Sequence, residues 1–452
     1  MNILAATHAL VFEVRLTTRT GLMLRSGESG DFADMALARA PDGRLSIGGL
    51  VFASLLRRAL ARTKSGRDYS EDIGRYIPKE GVEESVDAKA SGVSPLWCES
   101  AFVELKATEV RPGIAMDREW GTAEDGKLFA MEIAPAGLQF ALSAVYLAKT
   151  KELAEAFRSA MVDALWVIDT GIETIGGGWS YGFGRLAVSK LSTRVLSLSA
   201  PAARHSLWDM DARKNGWTDV QGWPDGLSHM TPSPAVIRPY WRVTATLGVA
   251  KGQLLAIAST LAPLSPDGIA GFDPNNPPDA FLFRSPRLGK DGKVSHPVTI
   301  TGKALRQALL RATLERESAT RGNGELKDLF GDTDRRGLIS VADAEVSNTR
   351  SQVISRIQLC EHSATNMNLF GREYLTGGDF RLDALVDGDG QEADQLIDKV
   401  KLILNELDPA NKDVPPGWHR LGSTTTATGQ IALRDKFSYD KIGAREAGHE
   451  ES

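Results

Sequence analysis

The chain has 452 residues, about three times the length of a common single domain, so two or more hydrophobic cores are expected. Its 53 Lys and Arg residues against 58 Asp and Glu residues give a formal net charge of -5. This balance excludes a protein that coats nucleic acid by bulk positive charge, so any nucleic-acid site must be local. The 42% hydrophobic and 25% charged content is that of a globular protein and excludes wholesale disorder.

The cysteine content and the N-terminus indicate the cellular compartment. The two cysteines, Cys98 and Cys360, cannot supply a disulfide framework or a cysteine-rich zinc site. The N-terminal apolar run is broken by His8, Glu13 and Arg15, which favours a strand over a signal peptide. No stretch approaches the roughly 18 uninterrupted apolar residues of a membrane span. We therefore expect a soluble, cytoplasmic protein with no membrane partner.

The predicted elements, taken in chain order, occur twice. An alternating strand at residues 11–24 is followed by Asp34 and, five positions later, by Arg39. A similar strand at residues 241–255 precedes Asp279 and Arg284, which have the same spacing. A lone loop aspartate is usually a turn former or a cap. Its recurrence favours a role beside phosphates, where a carboxylate can hold a divalent metal or orient a nucleophile; the spacing leaves both roles open.

The next block is an Asp-Gly turn that leads into a basic amphipathic helix. Gly49 begins the first copy and Gly302 begins the second, and glycine there leaves backbone N–H groups accessible at a helix N-terminus. The following basic residues are candidates to track a polyanion: Arg57 and Arg58 in the first copy, and Lys303 and Arg306 in the second. The alternative is a solvated helix face whose charges are balanced by nearby acids.

Two further blocks complete each copy. The strings LFAMEI from Leu128 and LFGREY from Leu369 share a Leu-Phe pair with a glutamate three positions after the phenylalanine. A helix and the string IGGGWSYGFGRL then follow in the first copy, whereas the second copy has the eroded string LGSTTTATG. We predict that Gly176, Gly177, Gly178 and Arg185 contact phosphate. A tight glycine-rich hairpin is an equally supported alternative.

The block order predicts a tandem duplication. The first domain is expected over residues 5–195 and the second over residues 236–437. Residues 196–235, rich in Pro, Gly and Trp, are expected to form a linker, and residues 438–452 a polar tail that frays.

In this order the blocks resemble the RAMP (repeat-associated mysterious protein) superfamily of CRISPR effector subunits. The strings IGGGWSYGFGRL and LFGDTDRRGLISVADAEV, the latter from Leu329 to Val346, are close to the family's patterns. Each half looks like the backbone subunit of a type III complex, and two joined halves resemble the fused subunits of the type III-D variant. The resemblance implies an α+β fold of two tandem ferredoxin-like, RNA-recognition-type domains with inserted β-hairpin thumbs.

The resemblance also implies a function in antiviral defence. Family backbone subunits bind guide RNA in a ribonucleoprotein complex with other RAMP subunits and the large signature subunit. An aspartate in the loop before the basic helix cleaves the target single-stranded RNA with a divalent metal, Mg²⁺. Asp34 and Asp279 match that aspartate, so they are the expected catalytic and metal-binding residues of an endoribonuclease, a hydrolase with two cut sites. The alternative is a non-catalytic, structural subunit that binds guide RNA.

The candidate RNA-binding residues come from the repeated motifs, the basic helices and the Gly-rich string described above. They are Arg39, Gly49, Arg57, Arg58, Gly176, Gly177, Gly178, Arg185, Arg284, Gly302, Lys303 and Arg306.

Overall fold

The protein is represented by a computed structural model whose described residues form two large antiparallel sheets, one in each half of the chain, with helices packed against them, and four two-stranded pairs. The residues described are 6–27, 29–30, 33–73, 94–116, 123–199, 204, 207, 218–219, 235–259, 269–317, 330, 337–360, 363–388, 390–409, 421 and 429–443. The mixed α+β class expected from the sequence is confirmed.

The described residues of the first half contain a five-stranded sheet, two further strand pairs and three α-helices. Its helices are α1 (Gly49–Ala61), α2 (Arg67–Ile73) and α3 (Lys151–Thr170). Its strands are β1 (His8–Thr18), β2 (Leu45–Ile47), β3 (Leu96–Cys98), β4 (Ala101–Val103), β5 (Glu109–Met116), β6 (Ala123–Ile133), β7 (Gln139–Ala148), β8 (Leu186–Ser197) and β9 (Thr218–Asp219). The sheet order is β3-β7-β1-β8-β9.

Local sequence explains where the long helix of this half begins and ends. The hydroxyl of Thr150 accepts a hydrogen bond from the Leu153 N–H, which caps the N-terminus of α3. Gly171 ends the helix at a φ of 85°, a left-handed conformation that favours glycine. The face of α3 that carries Phe157 and Met161 is fully buried against the sheet. Burial of this apolar stripe, rather than helix propensity alone, holds α3 on the sheet.

The second half also combines a large antiparallel sheet with helices. Its helices are α4 (Gly302–Glu317) and α5 (Gln391–Glu406). Its strands are β10 (Tyr240–Val249), β11 (Ala258–Ser259), β12 (Phe281–Leu282), β13 (Arg287–Leu288), β14 (Val294–Ser295), β15 (Thr299–Ile300), β16 (Ile339–Val341), β17 (Ala344–Cys360), β18 (Ser363–Asp387), β19 (Ile431–Leu433) and β20 (Ser438–Ile442). The main path is β15-β17-β18-β10-β19, with β16 on β18 and β20 on β10.

Each half contains a long antiparallel pair of strands. In the first half, β5 pairs with β6 from Glu109 opposite Ile133 to Met116 opposite Ala123. In the second half, β17 and β18 form a longer hairpin that also continues into the sheet. The equivalent hairpins place the two Leu-Phe-x-x-Glu strings in comparable strands, β6 and β18.

The end of the second half differs from the sequence-based expectation. The prediction of a frayed polar tail from residue 438 is wrong for residues 438–442, which form β20 and pair with β10 from Tyr240 to Thr244. Edge strands tolerate exposed polar side chains, so this segment lacks an apolar signal. Most of the predicted linker, the end of the tail and residues 422–428 of the second Gly-rich string lie outside the described residues. None of the helices described is long and apolar enough to cross a membrane.

The two halves are joined by buried polar contacts. Arg62, at the end of α1, pairs with Glu173 of its own half and with Asp387 of the other half. Arg111 of β5 reaches Asp343 across the junction, and its guanidinium lies 5.1 Å from the ring centroids of Phe183 and Phe283. Backbone bonds add to the junction, as in the Leu288 N–H to Ala136 O bond of 2.9 Å.

Candidate carboxylate sites and nucleic-acid interface

The first candidate aspartate, Asp34, lies exposed in a loop that packs beside the β5–β6 hairpin. Its Oδ2 accepts a hydrogen bond of 2.7 Å from the backbone N–H of Ala130 in β6. The next residue, Met35, forms a parallel bridge with Met131. The loop of residues 33–39, hereafter the first Asp loop, is therefore docked on the hairpin with its carboxylate at the surface.

The second candidate, Asp279, has the same environment. It is exposed, and its Oδ2 accepts a hydrogen bond of 2.8 Å from the backbone N–H of Gly371 in β18. Ala280 forms a parallel bridge with Arg372. Residues 278–284, the second Asp loop, thus dock on the second hairpin as the first loop docks on the first hairpin.

The arginine five positions after each aspartate contacts a glutamate rather than that aspartate. Arg39 Nη2 lies 2.5 Å from Glu132 Oε1, and Arg284 Nη2 lies 2.7 Å from Glu373 Oε1. Neither aspartate is buried against its own arginine. The structure pairs both arginines with glutamates of the hairpins, and their contact with RNA stays a prediction.

The glycines that begin the basic helices serve a close approach of the backbone. A Cβ on Gly49 would lie 2.0 Å from the Cys98 carbonyl oxygen, and one on Gly302 would lie 2.0 Å from that of Val341. Their N–H groups are also occupied: that of Gly49 by Ser100 Oγ at 3.3 Å, and that of Gly302 by a carboxylate. The expectation that these two N–H groups are accessible to phosphate is therefore wrong.

The basic residues of α1 divide into exposed and paired ones. Arg57 is exposed on the helix. Arg58 donates from Nε to Glu173 Oε2 at 2.8 Å and from Nη2 to the Thr174 carbonyl oxygen at 2.6 Å. The alternative in which acids balance the charge run thus applies to Arg58 and to its neighbour Arg62, while Arg57 remains available to a polyanion.

The basic residues of α4 are partly buried. Burial lowers the pKa of Lys303, and the positive charge of Arg306 adds to that effect. The backbone of the first Gly-rich loop, residues 175–185, lies close by: the Tyr181 carbonyl oxygen would be 2.8 Å from a Cβ on Gly302. Lys303 therefore lies beside the junction of the two halves.

Arg185 of the Gly-rich loop is buried between the halves, with 4% of its surface exposed. It donates to the Ser340 carbonyl oxygen and Oγ, and it pairs with Asp383 at 3.2 Å. The prediction that Arg185 contacts phosphate is wrong, because docking of the second half encloses the guanidinium.

The three consecutive glycines of the loop remain near the surface. Gly176 and Gly178 adopt φ values of 80° and 76°, which favour glycine, and Gly177 donates its N–H to the Met23 carbonyl oxygen at 2.9 Å. Gly176 and Gly177 line a cavity of about 570 Å³. Its other lining residues are Met23, Leu24, Arg25, Ala38, Ser46, Gly48 and Val51. The structure therefore brings the Gly-rich loop, the start of α1 and the end of the first Asp loop to one cavity.

Neither candidate aspartate belongs to a cluster of possible metal ligands in the part of the chain that the structure describes. Among the residues that the structure describes, no group of three or more His, Cys, Asp or Glu side chains is placed to hold a metal ion. Mg²⁺ is commonly held by one or two carboxylates together with substrate phosphates and water. Asp34 and Asp279 fit that arrangement as the protein ligand of an ion shared with RNA.

Sequence reasoning did not assign roles to the two glutamates that hold the Asp loops. Glu132 and Glu373 were visible as the recurrent glutamate of the Leu-Phe-x-x-Glu strings. Their repetition alongside the Asp-x4-Arg spacing was a signal that the two motifs meet. The buried Arg111 had no counterpart in any repeated motif, so nothing in the sequence indicated its position.

The fold and site define a mixed α+β protein with repeated, surface-exposed carboxylates beside antiparallel hairpins. A family model described as the RAMP superfamily matches residues 15–187, which supports membership of that superfamily and covers most of the first half. The RAMP superfamily is one of CRISPR-associated RNA-binding subunits, and the match is confined to the first half of this chain. No curated protein matches the chain.

Proposed function

We propose that this chain is a fused double backbone subunit of a type III CRISPR complex, of the type III-D variant, that binds guide RNA and cleaves complementary target RNA at two sites. Each half then corresponds to one ferredoxin-like RAMP domain, and the β5–β6 and β17–β18 hairpins correspond to thumbs. Other RAMP subunits and the large signature subunit would complete the complex in the cytoplasm.

One observation carries the proposal. An exposed aspartate is bound through Oδ2 to the backbone of an equivalent hairpin strand in both halves, at 2.7 Å for Asp34 and 2.8 Å for Asp279. An isolated loop aspartate needs no such repetition. Two carboxylates held alike, each beside a hairpin to which the proposal assigns the separation of duplex bases, support one cut per half.

The chemistry requires alignment more than sequence readout. When a nucleotide leaves the guide–target helix, its 2′-oxygen can align with the adjacent phosphorus. The 2′-oxygen then bonds to phosphorus and the bond from phosphorus to the 5′-oxygen breaks. The 2′-hydroxyl loses a proton and the 5′-oxygen gains one, leaving a 2′,3′-cyclic phosphate and a 5′-hydroxyl. Base pairing with the guide selects the target.

Within this proposal, Asp34 and Asp279 each orient the target strand and contribute one carboxylate to a divalent metal, Mg²⁺. Bound Mg²⁺ would stabilise negative charge on the phosphate. The protein's own contribution is the fixed orientation of each carboxylate, since one oxygen is already held by the hairpin backbone.

The guide RNA has a candidate surface in the cavity between the Gly-rich loop and α1. Gly176, Gly177 and Gly48 let a backbone approach closely, and Arg25 lines the same cavity. Arg57 is exposed on the neighbouring helix. Phosphate contacts of this kind suit a subunit that tracks RNA without reading bases.

The direct experiment reconstitutes the complex with a guide RNA and maps the ends of a labelled, complementary RNA. We expect two cuts, both dependent on Mg²⁺, with 2′,3′-cyclic phosphate ends. A non-complementary RNA of equal length is the control. Guide-dependent binding of the target with no cut by this chain, at any Mg²⁺ concentration, would contradict the nuclease proposal.

A non-catalytic filament subunit is the second candidate, and a specific contact favours it. Because each aspartate accepts a backbone N–H, its role could be limited to anchoring the loop. Substitution by asparagine separates the two functions, since the amide oxygen can still accept that bond while the charge is lost. Full cleavage by the asparagine variants would favour the structural role.

A further inference from the structure

A glutamate from the neighbouring hairpin strand binds each Asp loop through a hydrogen bond and an ion pair. Glu132 Oε2 accepts the N–H of Leu37 at 2.9 Å, while its Oε1 pairs with Arg39. Glu373 Oε2 accepts the N–H of Leu282 at 2.9 Å, while its Oε1 pairs with Arg284. In each half the glutamate therefore binds the residues three and five positions after the aspartate.

These contacts fix the register of the loop on the strand. Glu132 donates its own N–H to the Met35 carbonyl oxygen at 3.0 Å, and Glu373 does so to the Ala280 carbonyl oxygen at 2.9 Å. The strand residue that binds the aspartate lies two positions before the glutamate in both halves. Backbone N–H groups two residues apart on a strand point to the same edge of that strand. The N–H that binds the aspartate and the N–H of the glutamate therefore both face the Asp loop.

We propose that Glu132 and Glu373 are positioning residues for Asp34 and Asp279. This inference rests on the proposed nuclease function. Each glutamate keeps its loop in the register at which the aspartate reaches the strand N–H, and so sets the direction of the carboxylate. We call the contacts of each glutamate with its Asp loop a clamp. A displacement of about 1 Å at a reacting group can lower a rate by roughly 100-fold, so loss of a clamp should slow the cut in its half.

The two clamps differ in exposure. The side chain of Glu373 is fully buried and that of Arg284 is 16% exposed, whereas those of Glu132 and Arg39 are 14% and 37% exposed. Burial opposes ionisation of Glu373, but its bonds from Arg284 and the Leu282 N–H outweigh that effect and lower its pKa. Salt screens exposed pairs more than buried ones. We call the cut assigned to Asp34 the first cut and the cut assigned to Asp279 the second cut. As the salt concentration rises, the rate of the first cut should therefore fall before the rate of the second cut does.

The test uses Glu132→Gln in the assembled complex with guide RNA and labelled target. Glutamine can accept the Leu37 N–H but cannot form the ion pair with Arg39. We expect the first cut to slow at least tenfold under single turnover at saturating target, with target affinity and the second cut unchanged. Glu373→Gln should slow only the second cut. Glu104→Gln, an exposed change in the first half, is the matched control and should alter neither cut.

The outcomes separate this inference from the proposed function. Loss of the first cut in Asp34→Asn with an unchanged first cut in Glu132→Gln would overturn the inference and leave the nuclease function standing. A retained first cut in Asp34→Asn would contradict the function itself. If Glu132→Gln abolishes both cuts by misfolding, Arg39→Gln decides: a selectively slower first cut supports the clamp, and an unchanged one overturns it.

Discussion

Arg62 of the first half forms an ion pair with Asp387 of the second half, in which Nη2 donates to both carboxylate oxygens at 2.9 Å and 3.0 Å. Both side chains are more than nine-tenths buried. Arg62 also pairs with Glu173 at 2.5 Å, so one guanidinium joins the end of α1, the segment just before the Gly-rich loop and the end of β18. The helix that was expected to track RNA thereby also fixes the two halves to each other.

Replacing Arg62 should destabilise the protein strongly. Arg62→Ala leaves two buried carboxylates short of a partner, and breaking a buried pair typically costs about 3–5 kcal/mol. We expect the lower end, about 3 kcal/mol, because Arg58 still contacts Glu173 and Arg238 still contacts Asp387. Urea unfolding measures the change. Arg57→Ala on the same helix should stay within about 0.5 kcal/mol, and equal losses in the two variants would contradict the assignment.

Arg57 should instead affect RNA binding. Its exposed guanidinium can neutralise one phosphate, so Arg57→Ala should weaken guide RNA of any sequence to a similar degree. For single-stranded RNA, the plot of log affinity against log salt concentration has a negative slope, and the magnitude of that slope should decrease by about 0.7. Filter binding over a salt series gives that slope. An unchanged slope would show that Arg57 makes no phosphate contact.

The local motifs and their long-range partners differ in how far the sequence predicts them. Repetition of Asp-x4-Arg and of Leu-Phe-x-x-Glu predicted equivalent sites in the two halves. It did not predict that these motifs bind each other, because Arg39 and Glu132 are 93 residues apart. The partner of a charged side chain depends on how distant segments pack, which local spacing does not specify.

Arg185 illustrates the same limit at the junction of the halves. The string Gly182 to Arg185 favours a phosphate contact when it is considered alone, because glycines and arginine suit an anion. In the fold, β16 of the second half covers the loop, and a Cβ on Gly182 would lie 2.4 Å from Ala342 Cα. A sequence pattern for phosphate binding and one for close packing between domains require similar residues.

Gly302 should be intolerant of a side chain for the same steric reason. The Cβ introduced by Gly302→Ala would lie 2.0 Å from a backbone oxygen of β16, which cannot rotate away. Overpacking of this kind should cost about 3 kcal/mol. Gly390→Ala, at the start of α5, is the control because a Cβ there meets nothing within 4 Å, and it should cost below about 1 kcal/mol. Comparable urea midpoints for both variants would contradict the close approach.

Acid should weaken the junction through Asp383. Burial opposes its ionisation, but Arg185 and Arg242 outweigh burial and lower its pKa below the ordinary value of 3.8. A carboxyl whose pKa is lower in the folded state stabilises the fold above its unfolded pKa and loses that contribution as the pH falls through its folded pKa. The Asp383→Asn variant should therefore have a lower free energy of unfolding than the unmodified protein at pH 7. Below pH 4, its free energy of unfolding should fall less steeply with decreasing pH.

The matched control for acid unfolding is Asp398→Asn, since the Asp398 side chain is 76% exposed on α5. Its curve of unfolding free energy against pH should overlay that of the unmodified protein. If Asp383→Asn and the unmodified protein lose stability in parallel down to pH 2, the pairing with Arg185 and Arg242 does not contribute to the pH dependence.

The most direct test is a map of cut positions on one guide-matched RNA for four complexes: unmodified, Asp34→Asn, Asp279→Asn and the double variant. Asparagine keeps the bond to the hairpin N–H and removes the charge, so assembly and target binding should persist. We predict two cuts, loss of one cut in each single variant at different positions, and no cut in the double variant. Two unchanged cuts in the double variant would contradict the assignment of catalysis to these aspartates.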